Sequence, residues 1–472
     1  MRLRSPHSCG SVLVGLLWCL TLLAVIVIGV LHSSRLDLKV TKNLGDAVQA
    51  RYLALAGIEK AKALLYRDYG DRKRTRRNHS AELANNPQEF KDIGLGRGAF
   101  RVFYPTPASA TPGQWNYGVR DEEALLNVNE ATEEELKNLP GMTPDLIAAL
   151  IDFRDEDQTP RSGGAEAEYY LSLTPPYLPK NAPLETLREL LGVRGFTEDL
   201  LFGADRNADG IIEDSDQDRD SDSPEEAARP SQGLGLAHYF TVHSSVQNVN
   251  AAGDSRIDVQ SADEATLTTV SGISSDIAQA LVAYRNQNRL GSLDDLLDVT
   301  RVNPQSQRSS SPNAGNPPPG QPSGPGRNPA PAPAPRAPTG SGEKLISQDL
   351  LLQIADDITV HSESEQHGLI NINTAEATVL QCLPGVEREL ANAIVDYRQS
   401  AGPFQNVAWL LRVPGMTRQV FKQLAPKVTA RSETFRILGE GTIQSSGVHQ
   451  RLEVVVRLRS GNFETLSYRE DL

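Results

Sequence analysis

The chain has 472 residues, with 60 acidic against 47 basic side chains and a formal net charge of −13. That balance argues against nucleic acid as the main partner, and the length allows two or three domains. Its cysteines, Cys9, Cys19 and Cys382, give no intramolecular disulfide framework, because the first two stand before and within an apolar segment.

That apolar segment comes first in chain order. A polar leader, Arg2 to Gly10, runs into an uncharged stretch from Ser11 to Leu31, long enough to cross ~30 Å of hydrocarbon as a helix rising about 1.5 Å per residue. A secretory signal puts its small-residue cleavage site after the apolar core, whereas here the candidate junction, Cys9-Gly10-Ser11, precedes it. A cut between Gly10 and Ser11 therefore leaves the membrane segment on the mature chain; an uncleaved signal anchor is the plain alternative. Flanking charge sets orientation only weakly, with Arg2 and Arg4 on one side and Arg35, Lys39 and Lys42 on the other.

From Leu36, apolar residues recur every three or four positions through Val40, Leu44, Val48, Leu55, Ile58 and Leu65 with no Pro. The spacing predicts one amphipathic helix continuing out of the membrane segment. The basic run Arg72 to Arg77 reads as a solvated loop. Strands are expected at Ala99 to Tyr104 and Trp115 to Val119, around the turn at Pro107 to Gly113. A second pair is expected at Thr434 to Ile443 and Gln450 to Arg459, around Ser445-Ser446-Gly447. Leu452, Val454, Val456 and Leu458 alternate with charged neighbours, as a half-buried strand requires. The four strands are expected to make one antiparallel sheet on the amino-terminal helix, so that everything between Val128 and Val428 is an insertion.

The insertion repeats itself. Leu126-Asn127-Val128-Asn129, Leu139-Pro140-Gly141-Met142 and Ile147 to Arg154 recur as Ile370-Asn371-Ile372-Asn373, Leu383-Pro384-Gly385-Val386 and Ala391 to Arg398. A looser copy runs through Ile257-Asp258-Val259-Gln260, Val270-Ser271-Gly272-Ile273 and Ile277 to Arg285, and satellite hairpins stand at Gly192-Val193-Arg194-Gly195 and Val413-Pro414-Gly415-Met416. Each copy reads as two short amphipathic helices around a Gly-bearing hairpin. Phe240-Thr241-Val242-His243-Ser244 and Ile358-Thr359-Val360-His361-Ser362 read as strands leading into the second and third copies. Asn303 to Gly342, rich in Pro, Gly and Ser, reads as a disordered linker.

A helix-hairpin-helix grips a DNA phosphate when its hairpin reads Gly-apolar-Gly, through backbone N–H groups at a helix N-terminus. Here the second Gly is replaced by Thr143, Ser274, Glu387 and Thr417, which favours a structural use of the modules. Between Asp205 and Asp216 the spacing fits a twelve-residue calcium loop. The expected ligands are Asp205, Asn207, Asp209, Glu213 and Asp216, with the backbone carbonyl of Ile211 and a sharp turn at Gly210. Oxygen ligands without His or Cys point away from zinc and copper. No nucleophile, acid–base or phosphate-loop pattern stands out, so no enzyme is expected, and His243 and His361 read as packing residues.

The Gly10 junction before the membrane helix, together with Ala50-Arg51-Tyr52-Leu53-Ala54-Leu55-Ala56-Gly57-Ile58-Glu59, resembles the K-type minor pseudopilins of type II secretion systems. The repeated hairpins resemble the modules of ComEA-type DNA-uptake proteins. Most pilin-like proteins carry Glu at the fifth position after the cut; here it is Gly15, and the K type is the member that lacks this acid. The resemblance implies an α+β fold, a pilin-like domain with a large inserted α-helical domain. It also implies cleavage by a prepilin peptidase, an inner-membrane anchor with the bulk in the periplasm, and a place at the pseudopilus tip among other minor pseudopilins and the major pseudopilin.

The domains expected are a leader at 1–10, the transmembrane segment at 11–33 and the pilin-like helix and first strands at 34–126. Helix-hairpin-helix modules follow at 127–256, 257–302 and 344–429, the linker at 303–343 and the closing strands at 430–472. The alternative is a membrane-anchored, ComEA-like DNA receptor.

Overall fold

The structure, a computed structural model, describes residues 10–76, 80–105, 115–203, 205, 235–301 and 343–470. One helix runs unbroken from Gly10 to Thr75. Its apolar first part is long enough to cross a membrane and is exposed throughout. Only the far half packs: Ala50, Leu53, Ala54, Ile58, Ala61, Leu64 and Leu65 are buried, whereas Leu36, Leu38, Val40, Leu44, Val48 and Tyr52 are exposed.

The buried face lies on an antiparallel sheet built from both ends of the chain that follows the helix. Its strands are β1 (Ile93–Leu95), β2 (Gly98–Val102), β3 (Arg120–Asp121), β4 (Thr434–Ile443), β5 (His449–Arg459) and β6 (Asn462–Arg469). The order across the sheet is β1-β2-β4-β5-β6, with β3 also pairing to β4. Ile437, Leu452, Val454, Val456 and Leu458 face the helix, the period-two alternation that the carboxy-terminal strand pattern requires. Close approach depends on two glycines of β4. A Cβ at Gly441 would lie 2.0 Å from the Ala50 carbonyl oxygen, and one at Gly439 would lie 2.7 Å from that of Ala54.

One expected strand goes elsewhere. Trp115–Asn116 pairs with Tyr104–Pro105 in a separate two-stranded ribbon, and Arg120 and Asp121 take the place beside β4. Ring packing explains the diversion, since Trp115 stands edge-on to Phe103 with centroids 5.3 Å apart, which turns the chain off the sheet before Arg120.

Three modules fill the insertion, and each is closed by a parallel pair of two-residue strands. Leu126–Asn127 pairs with Phe240–Thr241, Ile257–Asp258 with Ile358–Thr359, and Ile370–Asn371 with Val428–Thr429. The Phe-Thr-Val-His-Ser and Ile-Thr-Val-His-Ser runs therefore end a module, where the sequence had suggested that they lead into the next. The second module accordingly does not stop at residue 302. Helix Gln348–Ile354 packs on Leu293–Asp298 across the Pro-rich segment, and Thr300 bridges to Lys344, so the linker is inserted within a hairpin and the third module begins beyond it.

The repeated residues hold the same places. Arg154, Arg285 and Arg398 each reach back to a main-chain carbonyl, that of Val128, Val259 or Ile372. Asn127, Asp258 and Asn371 each accept from the main-chain N–H two residues on, at 2.9 Å in all three. Thr241, Thr359 and Thr429 accept likewise from His243, His361 and Arg431. Short side chains satisfying their own turn explain why these positions recur.

Asp121-Glu122-Glu123 joins the sheet to the insertion. Asp121 accepts from Asn371, Thr374 and Ser432, and Glu122 pairs with Arg436 at 2.7 Å and accepts from Thr241. Glu123 accepts from the main chain of Ser245 and of Thr434. All three acids are buried. Burial would raise the Glu122 carboxyl, yet the Arg436 guanidinium holds it at about 2.

Candidate cation site

Helix Pro144–Arg154 ends at a cap residue, Asp155, and the chain loops back through Asp157 to Glu166, the residue before helix Ala167–Leu171. The loop brings Asp155, Asp157 and Glu166 together, with one carboxylate oxygen from each lying within 4.8 Å of the others. Glu166 is 5 % exposed, and among the described residues neither of its oxygens has a hydrogen-bond partner; nor has Oδ1 of Asp155. Asp152 lies behind them, fully buried, with one oxygen accepting from the Arg161 main chain at 3.1 Å.

Electrostatics follow from this crowding. Burial, then the negative charges of Asp152, Asp155 and Asp157, push the Glu166 carboxyl up to about 7. Asp155 is raised by burial and by the same neighbours. Acids at a helix C-terminus also face the negative end of the dipole. A divalent cation there would offset burial, repulsion and the dipole together, and an all-oxygen donor set suits a hard ion such as calcium.

The calcium loop read from the sequence falls almost wholly outside the described residues, where Asn207, Asp209, Ile211, Glu213 and Asp216 lie. Asp205 is buried, its N–H donating to the Phe202 carbonyl. Sequence reasoning passed over Asp155, Asp157 and Glu166. The available signal was the acidic run Asp155-Glu156-Asp157 closing a helix whose last turn ordinarily favours basic residues. Gly10 begins the long helix, with Ser11 next in it.

The hairpins are occupied by their own side chains. The Thr143, Ser274 and Thr417 hydroxyls accept from the main-chain N–H of Leu146, Ile277 and Val420, and Glu387 makes no such bond. The hairpin at Gly385 packs on Val420, and the one at Gly415 faces Leu390, so the two halves of the third module cover each other.

Residues 133–202 match the family model of type II secretion system protein K. Over those residues the chain is similar to type II secretion system protein K. Residues 253–310 and 365–429 match the helix-hairpin-helix motif, in the second and third modules. Type II secretion system protein K of Klebsiella pneumoniae is 29 % identical over 187 residues, 38 % of this chain and 56 % of that protein. ComE operon protein 1 of Bacillus subtilis is 33 % identical over 73 residues, 16 % of this chain and 36 % of that protein. The chain thus spans about half or less of these relatives' lengths. A solved chain of the GspK-GspI-GspJ complex of enterotoxigenic Escherichia coli aligns over 92 % of this chain and 98 % of its own, at 13 % identity and a TM-score of 0.40. The stretch similar to protein K lies in the first module, and the helix-hairpin-helix matches follow it.

Proposed function

We propose that the protein is a minor pseudopilin at the tip of a type II secretion pseudopilus, assisting protein export across the outer membrane. The long helix carries this reading. Its first part is apolar and exposed, and its next turns present Leu36, Leu38, Val40, Leu44, Val48 and Tyr52 with no cover among the described residues. A stripe in that state buries itself against helices of other subunits. The protein K domain in the insertion supports the same assignment.

On this reading the chain spans the inner membrane once, with its bulk in the periplasm. Prepilin peptidase cuts between Gly10 and Ser11, and the partners are other minor pseudopilins and the major pseudopilin. Gly15 fits a tip position, because the Glu that it replaces is thought to pair with the amino terminus of a subunit above. Calcium is held by Asp155, Asp157 and Glu166, where it offsets carboxylate repulsion and fixes the loop between two helices of the protein K domain; the Asp205–Asp216 loop is a further calcium candidate.

Co-purification of the full chain from membranes with candidate minor pseudopilins tests the assignment. The native chain should retain them, and the double variant Leu44→Glu/Val48→Glu should lose them while staying in the membrane fraction. Retention by the double variant, or no partner with the native chain, rejects the reading. The helix-hairpin-helix matches favour a second reading, an anchored DNA receptor. Side-chain capping of the hairpins and the acidic balance count against it, and micromolar duplex binding near physiological salt would move it to first place.

A further inference from the structure

A cavity of about 510 Å³ lies between the outer face of the sheet and the first module. Its apolar walls include Phe202, Phe240, Leu438 and Val455, and Arg120 lines it from β3. The cations in the cavity are not alike. Arg436 is matched by Glu122 at 2.7 Å and Glu453 at 2.9 Å, and Arg469 stands 3.8 Å from Glu453. Arg188 lies over the Phe202 ring.

Arg120 differs from all of these. Its NH2 donates to the His238 carbonyl and lies 3.4 Å from the ring Nδ1 of the same residue. No carboxylate comes within ion-pair distance of it among the described residues. A guanidinium only donates, so Nδ1 of His238 is the acceptor and Nε2–H donates to Glu376 at 3.2 Å. The imidazole is thus neutral, and it cannot balance the charge. Burial, then the neighbouring Arg436, lowers the Arg120 pKa, and Glu122 and Glu376, beyond ion-pair distance, offset this only in part. Removing a cation from water is costly unless an anion accompanies it.

We propose that this cavity binds an organic monocarboxylate with an apolar body, its carboxylate on Arg120 and its body against Phe202, Phe240, Leu438 and Val455. One positive charge with no described carboxylate in ion-pair distance calls for one negative charge. A phosphate dianion would bring two, in a space that Glu185 and Glu453 also line. Occupancy would tie β3 and β4 to the first module, because the walls come from both.

The test uses the full chain in detergent and three probes: 4-phenylbutyrate, its uncharged analogue 4-phenylbutanol, and inorganic phosphate. Calorimetry and thermal unfolding should show 4-phenylbutyrate binding at least about tenfold more tightly than the alcohol, with phosphate failing to compete. Arg120→Gln should abolish the preference for the acid, and Ala237→Trp, which fills the cavity and leaves Arg120 in place, should abolish binding. Equal binding of acid and alcohol, competition by phosphate, or unchanged acid binding by either variant overturns the proposal. Should Arg120→Gln fail to fold, the acid-to-alcohol ratio and Ala237→Trp still decide.

Discussion

Glu123 shows how one buried carboxyl can make a domain joint sensitive to pH. It is fully buried, and among the described residues neither it nor Asp121 has a cation within ion-pair distance; Arg436 is taken by Glu122 and Glu453. Burial, then Asp121, raises the Glu123 pKa well above its ordinary 4.5. The folded state therefore binds this proton more tightly than the unfolded chain does. Stability falls as pH rises from about 4.5 towards the folded-state value. Thermal midpoints should drop as the pH rises above about 4.5 in the native chain, and Glu123→Gln, which mimics the protonated acid, should flatten the drop. Superimposable profiles would refute this. The cation site makes a prediction at the same scale. Calcium should raise the midpoint of the native chain over chelator by mass action, about 2.7 kcal/mol at a hundredfold excess over the dissociation constant. Asp157→Asn/Glu166→Gln should lose most of that gain, and an undiminished gain would place the calcium elsewhere.

Among the elements, the second module tolerates a long insertion because its hairpin is closed from both sides. Thr300 and Lys344 bridge, and the Arg301 N–H donates to the Glu343 carbonyl, so the flanks meet wherever the intervening chain goes. Val299 and Ile346 are buried, as Val413 of the third module's hairpin is. Replacing residues 300–345 by Pro-Gly, after the third module's Val413-Pro414-Gly415-Met416, should leave the module folded. Loop closure costs about 0.6 kcal/mol per doubling of length, so a roughly 23-fold shortening should stabilise by about 2.7 kcal/mol. A lower thermal midpoint in the shortened chain would show that the inserted segment contributes contacts. The motif was legible in the sequence because a Gly hairpin between two apolar helices repeats locally. The way each module closes was not, since strands of two residues carry no periodicity and find partners a hundred residues away.

At the scale of the whole molecule, the long helix divides into an exposed apolar part, long enough to cross a membrane, and a part packed on its own sheet. Mass spectrometry of the membrane-extracted protein should give a mature chain beginning at Ser11. A chain beginning at Met1, or beyond Leu31, would remove the prepilin reading. The amino-acid sequence by itself determined the apolar helix, the carboxy-terminal strand pair, the repeated hairpins and the resemblance to protein K. Each of these rests on spacing within a few turns or along one strand, where neighbours in sequence are neighbours in space. Only the tertiary structure decided that Arg120 and Asp121, and not Trp115 to Val119, join the sheet, that Glu166 meets Asp155 and Asp157, and that Arg120 stands at a cavity with no counter-ion among the described residues. Burial, charge compensation and strand partnership are properties of residues far apart in the chain, and no local period encodes them.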